Sequence, residues 1–458
     1  MCGVFGAYSP KGNAVLEEVY LGLYALQHRG QESTGIAWLG ENGRIASIRG
    51  NGLVHAALDQ GELALLPASC AIGHVRYSTS GGSDLGNAQP LISTTSRGSV
   101  AVAHNGNLTN AEGLKTLLES RGAIFQSTTD TEVILHLVAH QPHKRPIDAL
   151  VDSLTRLVGA YSLTLIIDGR LVAVRDPWGF RPLVLGRRED VWYVSSESCA
   201  LDLVGATTIR DIEPGEVVVL GPEGPRSLRI PLDAKTRRLC SFEFVYFARP
   251  DSVIEGKSVY EVRKELGRRL ARRGPCTGAD FVSGMPDSGT IAAMGYAQES
   301  NLSHELSVVR NRYVGRTFIE PTQRVRELGV RIKLNPITRV LSGKSVVVVD
   351  DSIVRGTTCQ RMIAMIKSAG ASAVHMRVSS PPVRFPCYYG IDTPTRVELA
   401  AARMNIQQLG KEVGADSLEY LSEEDLVEAI GLGESAVCTA CFSGKYLEEG
   451  GDVQDVTL

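Results

Sequence analysis

The chain has 458 residues, 43% of them hydrophobic and 22% charged, with a formal net charge of −3. That length leaves room for two or three self-supporting domains, and the balance is that of a soluble globular protein rather than a disordered or fibrous one. The slight acidity argues against a nucleic-acid partner, no apolar run nears the ~20 residues of a membrane span, and no export signal opens the chain, so a cytoplasmic enzyme is expected.

The chain begins "MCGVFGAYSP", so removal of Met1 makes Cys2 the first residue. A thiol needs a base beside it to act as a nucleophile, and an N-terminal residue carries its own amine for that purpose. An α-amine titrates near about 7.7 to 8.0, so part of it is unprotonated at neutrality.

To about residue 235 the chain is rich in short apolar runs broken by Gly, Asp and Pro, among them "ASCAIGHVRYST", "GSVAVAHNGNL", "AYSLTLIIDGRLVAVRD" and "GEVVVLGPEG". These read as strands; "TNAEGLKTLLESRG" and "DTEVILHLVAHQ", with apolar residues at helical spacing, read as helices. An α+β domain with packed sheets follows. Within it "GHVRYSTSG" sets Arg76 just after a strand, where a guanidinium can clamp a carboxylate bidentately. "AHNGNL" offers the Asn105 amide and Gly106 as oxyanion donors, although Asn-Gly alone is more often a hairpin turn. "TTDTEV" puts Asp130 at a helix start, as an N-cap or as a partner for an α-ammonium group. Arg76 and Asp130 together define the head of an amino acid, and a thiol with an oxyanion site at its other end makes that amino acid glutamine.

The motifs "MCGVFG", "QHRGQESTG", "GHVRYST", "HNGNL" and "STTDTE" resemble, in order and spacing, those of the N-terminal-nucleophile (class II) glutamine amidotransferases over residues 2–235. The resemblance implies sandwiched antiparallel sheets and hydrolysis of glutamine through a thioester on Cys2. Asn105 and Gly106 would be the oxyanion donors, Arg76 and Asp130 would hold the substrate, and the ammonia would pass to a second site.

"GPEGPRSLRIPLDAKTRRL" reads as a linker. Beyond it, over residues 236–458, "ADFVSGMP", "GTIAAMGYAQES", "LSVVRNRY", "GKSVVVVDDSIV", "TTCQRMIAMIKSAG" and "ASAVHMRVSSPP" alternate strand and helix, which predicts a parallel sheet; the tail from Thr395 reads as mainly helical. "SVVVVDDSIVRGTT" places Asp350 and Asp351 at the end of a buried strand, before a loop of Ser352 and Gly356 and a helix opened by Thr357 and Thr358. Backbone N–H groups at such a helix start take a phosphate, while paired carboxylates suit ribose hydroxyls and a divalent cation. Residues 240–400 resemble the type I phosphoribosyltransferases. That implies an α/β domain binding phosphoribosyl pyrophosphate (PRPP), with Ser288 of "SGMPDSGT" joining Asp350 and Asp351 around Mg²⁺, and "NRYVGRTFIEPTQRVRELGVRIKLNPI" as a closing flap whose Lys333 contacts phosphate.

"CTAC" has the spacing of a redox pair or a zinc half-site, and Cys240 and Cys387 could complete a set of four with Cys438 and Cys441. The whole chain is similar to the glutamine-dependent PRPP amidotransferase family, in particular its iron-sulfur subgroup, and this resemblance implies that Cys240, Cys387, Cys438 and Cys441 hold a 4Fe-4S cluster. It also implies the first committed step of purine synthesis, a homotetramer, and inhibition by purine nucleotides. Cys70, Cys199, Cys276 and Cys359 are expected to be buried filler. Members of the subgroup are typically made with a short propeptide, whereas here Met1 alone precedes Cys2; maturation by methionine aminopeptidase, or a later start to the given sequence, accounts for this. Rival readings are a glutamine amidotransferase with another acceptor and a PRPP-binding regulator that keeps the fold.

Overall fold

The computed structural model describes residues 1–446 apart from 42, 79–81, 83, 234 and 312–333. The N-terminal half is a four-layer sandwich. Seven antiparallel strands lie in the order Thr207–Asp211, Val184–Arg188, Val191–Ser195, Gly3–Tyr8, Cys70–Arg76, Ser33–Leu39, Ile45–Asn51. Six more, also antiparallel, follow the order Gly224–Arg229, Glu216–Gly221, Arg170–Arg175, Gly159–Ile167, Gly98–Leu108, Leu91–Thr95. Val4, Ile72 and Val194 of the first sheet meet Ala101, Ala103 and Ala173 of the second, and the small alanines let the layers approach closely. Leu16–Ala25 covers the outer face of the first sheet, and Ala111–Glu119, Glu132–Ala139 and Pro146–Leu154 cover the second.

Covering on both faces explains why Gly3–Tyr8 is buried at all six positions and shows no polar alternation. It is a central strand, pairing Gly3 with Val75 on one side and Phe5 with Ser195 on the other, so Cys2 stands at the end of the middle of a sheet. Gly98–Leu108 is likewise held along its length by Gly159–Ile167, with Asn105 opposite Ser162 and Gly106 opposite Tyr161.

The C-terminal half contains a five-stranded parallel sheet in the order Ser303–His304, Phe281–Gly284, Ser345–Asp350, Ala373–Val378, Ser417–Tyr420. The valine run sits at its centre. Val347 and Val349 pack toward Val259–Arg273 and Thr290–Ser300, and Val346 and Val348 toward Thr357–Ser368, each burial being worth about 1.5 to 3 kcal/mol.

Three details differ from the sequence reading. "LSVVRNRY" supplies Val308–Arg310, but this strand pairs antiparallel with Leu334–Pro336 outside the parallel sheet. The connection from Ser303–His304 is too short for the crossover a parallel neighbour needs. The tail read as mainly helical adds Ser417–Tyr420 as the fifth strand. "GPEG" is a hairpin turn joining Glu216–Gly221 to Gly224–Arg229, so the passage between halves begins only after Arg229.

Candidate active site

At the Cys2 end, the Cys2 N–H donates to Asn105 Oδ1 at 3.3 Å, and Arg29 Nε donates to the Cys2 carbonyl at 3.0 Å. The Cys2 thiol lies 3.5 Å from the Tyr77 carbonyl. Asn105 is fully buried and its Nδ2 has no hydrogen-bond partner among the described residues, a donor held ready where polar groups are ordinarily paired. Gly106 follows with φ 155°, and a Cβ there would stand 1.9 Å from the Ala160 carbonyl oxygen, so no other residue fits this strand position. While Met1 is attached, the Cys2 nitrogen is an amide and cannot act as a base. Met1 itself is buried, and that burial lowers its ammonium to about 6.

The structure places Arg76 at the end of its strand with the guanidinium buried, donating to the Gly82 carbonyl at 3.0 Å. Asp130 does not cap the following helix. Its Oδ2 accepts from the Leu108 N–H at 2.8 Å, and Oδ1 lies 3.7 Å from His104 Nδ1. Burial disfavours charge on both, yet they sustain each other: His104 is raised because the Asp130 carboxylate outweighs its desolvation, and Asp130 is lowered because His104 and the Leu108 N–H outweigh its own.

The second constellation stands at the carboxyl ends of the parallel strands, the usual ligand crevice of such a sheet. Asp350 ends Ser345–Asp350, Asp351 is buried, and Ser352 Oγ donates to Asp351 Oδ1 at 2.6 Å. Ser288 also hydrogen-bonds Asp351. Burial raises both carboxyls, and the charge of Asp351 raises Asp350 further. A cation would relieve that repulsion, so the donors present fit a divalent metal. Gly356 turns through φ 85°, and exposed Thr357 and Thr358 open the helix Thr357–Ser368. Lys333 and most of the predicted flap lie outside the described residues.

Cys240 and Cys438 come together from distant parts of the chain, with Cys387 and Cys441 in the same neighbourhood. Cys240 and Cys438 are partners in a short parallel ladder, and the carbonyl of Cys441 accepts the Arg384 and Phe385 N–H groups. Cys387 Sγ accepts from the Tyr389 N–H at 3.3 Å. Burial pushes Cys240 up to about 11, Cys438 up to about 12, and Cys441 upward as well, and each also feels the charge of the other cysteines. Among the described residues no three such side chains meet closely enough for a single metal ion. Of the four cysteines read as filler, Cys70, Cys199 and Cys359 are buried, while Cys276 is half-buried.

A family model described as a glutamine amidotransferase domain matches residues 74–202. Amidophosphoribosyltransferase of Bacillus subtilis is 46% identical over 98% of this chain and 94% of its own. That of Methanocaldococcus jannaschii is 46% identical over 98% of each. The chain belongs to the amidophosphoribosyltransferase family. The solved structure of B. subtilis glutamine PRPP amidotransferase complexed with ADP and GMP superposes with a TM-score of 0.91, at 44% identity and 97% coverage of both chains.

One part of this amidophosphoribosyltransferase family member's site escaped the sequence reading. Beneath Cys2, Arg29 makes a two-pronged contact with Glu243 at 2.9 and 3.0 Å and also donates to Glu197, while Arg181 reaches Glu243 at 3.3 Å. All four side chains are fully buried. They join the Cys2 backbone to the turn Glu243–Phe247 of the C-terminal half. The available signal was an acid inside the aromatic run "SFEFVYF", which can be buried only if it is paired.

Proposed function

We propose that this enzyme makes 5-phosphoribosylamine, glutamate and pyrophosphate from PRPP, glutamine and water, the first committed step of purine synthesis. The carrying observation is that both constellations stand on one chain that aligns with amidophosphoribosyltransferases over 98% of its length. Cys2 Sγ attacks the glutamine carboxamide carbon, and its proton passes to the α-amine exposed by loss of Met1 and from there to the departing nitrogen. Asn105 Nδ2 and the Gly106 backbone donate to the oxyanion, and Arg76 and Asp130 hold the substrate's head. Water then releases glutamate from the thioester. Ammonia displaces pyrophosphate at C1 of PRPP, whose 5-phosphate would lie on Ser352 and Gly356–Thr358, with Lys333 of the flap as a phosphate contact.

Ser288, Asp350 and Asp351 would hold Mg²⁺, which supplies charge to offset the leaving pyrophosphate. Membership of the iron-sulfur subgroup is part of the same proposal. Cys240, Cys387, Cys438 and Cys441 would hold a 4Fe-4S cluster, a reading supported by the pairing of Cys240 with Cys438 and by the charge each of Cys240, Cys438 and Cys441 feels from the other cysteines. Purine-nucleotide inhibition is supported by the ADP and GMP in the B. subtilis structure. A homotetramer in the cytoplasm completes the reading; no described helix is long and apolar enough to cross a membrane.

The test is release of glutamate and pyrophosphate from glutamine, PRPP and Mg²⁺ by wild type and Cys2→Ala. Glutamine turnover stimulated by PRPP and lost in Cys2→Ala is expected; turnover indifferent to either would overturn the coupled mechanism. Iron and sulfide in anaerobically purified protein, in equal amounts near four per chain, are expected, and a colourless zinc-loaded protein would defeat the cluster.

A further inference from the structure

The oxyanion strand is touched from outside the amidotransferase sheets. Gly390, in the loop that follows Cys387, has φ 100°, and a Cβ added to it would stand 2.8 to 2.9 Å from the C, Cα and O atoms of Gly106. Asn107, next along the strand, donates through Nδ2 to the Tyr388 carbonyl at 3.0 Å. From the other side Arg181 grips the Tyr389 carbonyl with Nε at 3.1 Å and Nη2 at 2.6 Å, and Phe180 stacks on the Tyr389 ring at 4.3 Å. The Gly106 peptide is thus confined between the Ala160 carbonyl beneath it and the Gly390 backbone above it.

We propose that the turn Tyr388–Gly390 is a positioning element for glutamine hydrolysis: seated by Asn107 and Arg181, it fixes the Asn105–Gly106 peptide at the distance an oxyanion requires. The inference rests on the reading of Asn105 and Gly106 as the oxyanion donors. A donor displaced by a fraction of an ångström still binds substrate but stabilises the tetrahedral intermediate poorly, so the loss falls on kcat rather than on KM. Asn107 and Gly390 are not among the groups proposed to hold PRPP and Mg²⁺, so transfer of free ammonia to PRPP is left intact.

Gly390→Ala drives a methyl group into the Gly106 backbone, and Asn107→Ala removes one seat of the turn from a partly exposed position without adding bulk. Gly278→Ala is the control: it pays the left-handed backbone cost at φ 88° in open space. The readouts are kcat and KM for glutamate release from glutamine, and pyrophosphate release from PRPP with ammonium in place of glutamine. Gly390→Ala is expected to lower the glutaminase kcat about tenfold to a hundredfold, and Asn107→Ala several-fold, with KM within about twofold. Ammonia-dependent pyrophosphate release and both activities of Gly278→Ala stay at wild-type level. Two activities falling in parallel, a loss confined to KM, or an unchanged kcat in both variants would overturn the proposal. If wild type releases glutamate but no pyrophosphate, the PRPP reading fails, while the comparison of glutamate release still decides the role of the turn.

Discussion

Asn105 faces Cys2 with its oxygen and leaves its nitrogen over: Oδ1 accepts the Cys2 N–H at 3.3 Å, while the buried Nδ2 has no hydrogen-bond partner among the described residues. One side chain thereby fixes the backbone of the nucleophile and presents a donor beside it. Asn105→Asp keeps the acceptor and replaces the donor by a second acceptor. Glutaminase kcat is expected to fall about 10²- to 10³-fold with little change in KM, the usual effect of losing one oxyanion donor. Steady-state glutamate release measures this, and a loss under tenfold would remove Asn105 from the oxyanion site.

Asp350 and Asp351 illustrate a site built at the expense of stability. Both carboxyls are raised by burial, and Asp350 also by its neighbour's charge, so in the acidic range the folded chain binds more protons here than the unfolded one. Stability from this pair is therefore greatest below the ordinary carboxylate pKa and declines as pH rises through the raised values. Asp350→Asn should melt higher than wild type near pH 8, with the gap narrowing as pH falls, while PRPP-dependent chemistry is lost. Mg²⁺ with PRPP should raise the melting temperature of wild type and leave the variant unmoved. Equal melting curves at all pH values would contradict the repulsion.

Much of this was legible in the chain. Cys2 and the loop Asp350–Thr358, the centres of the proposed sites, stand out in the sequence because each proposed chemistry needs particular residue types in consecutive order: a thiol behind the initiator, and a buried strand, two acids and a Gly-Thr-Thr helix start. The layers were legible for the same reason, since the run Val346–Val349 can be satisfied only by cover on both faces. What stayed hidden depends on tertiary approach. Arg29 and Glu243 are 214 residues apart, and neither pattern nor spacing says that they pair. Asp130 sits where an N-cap belongs, and only the fold shows that it serves the Leu108 N–H and His104 instead. Ser417–Tyr420 is too short to stand out between two helices, and becomes a strand because the Ala373–Val378 edge is free to receive it.

The buried set Arg29, Arg181, Glu197 and Glu243 makes a strong stability prediction. Its charges are matched two against two, so removing one acid leaves an uncompensated guanidinium in the interior. Glu243→Ala is expected to cost about 3 to 5 kcal/mol in urea unfolding, far above a surface substitution. Because Arg29 also holds the Cys2 carbonyl and Glu243 belongs to the C-terminal half, glutaminase activity should fall in the same variant even where it remains folded. A cost under 1 kcal/mol would show that the quartet is no more than tolerated.

His104 and Asp130 give a pH dependence of the same direction as the aspartate pair, but here the charged form is the one the fold favours, so substitution destabilises instead of stabilising. Desolvation opposes the imidazolium, but the Asp130 carboxylate outweighs it, so His104 keeps its proton above the usual 6.5. The folded chain then binds more protons than the unfolded one in the window above 6.5. The pair's contribution is complete below the unfolded pKa and is lost as pH rises through the folded one. Asp130, held low, fails only when pH drops below the ordinary carboxylate range. His104→Asn should therefore be less stable than wild type at pH 6, with the difference shrinking by pH 9. Thermal unfolding of both proteins across that range checks it. A difference that stayed constant would mean that His104 is neutral throughout, held by Thr131 and the Ala160 carbonyl alone.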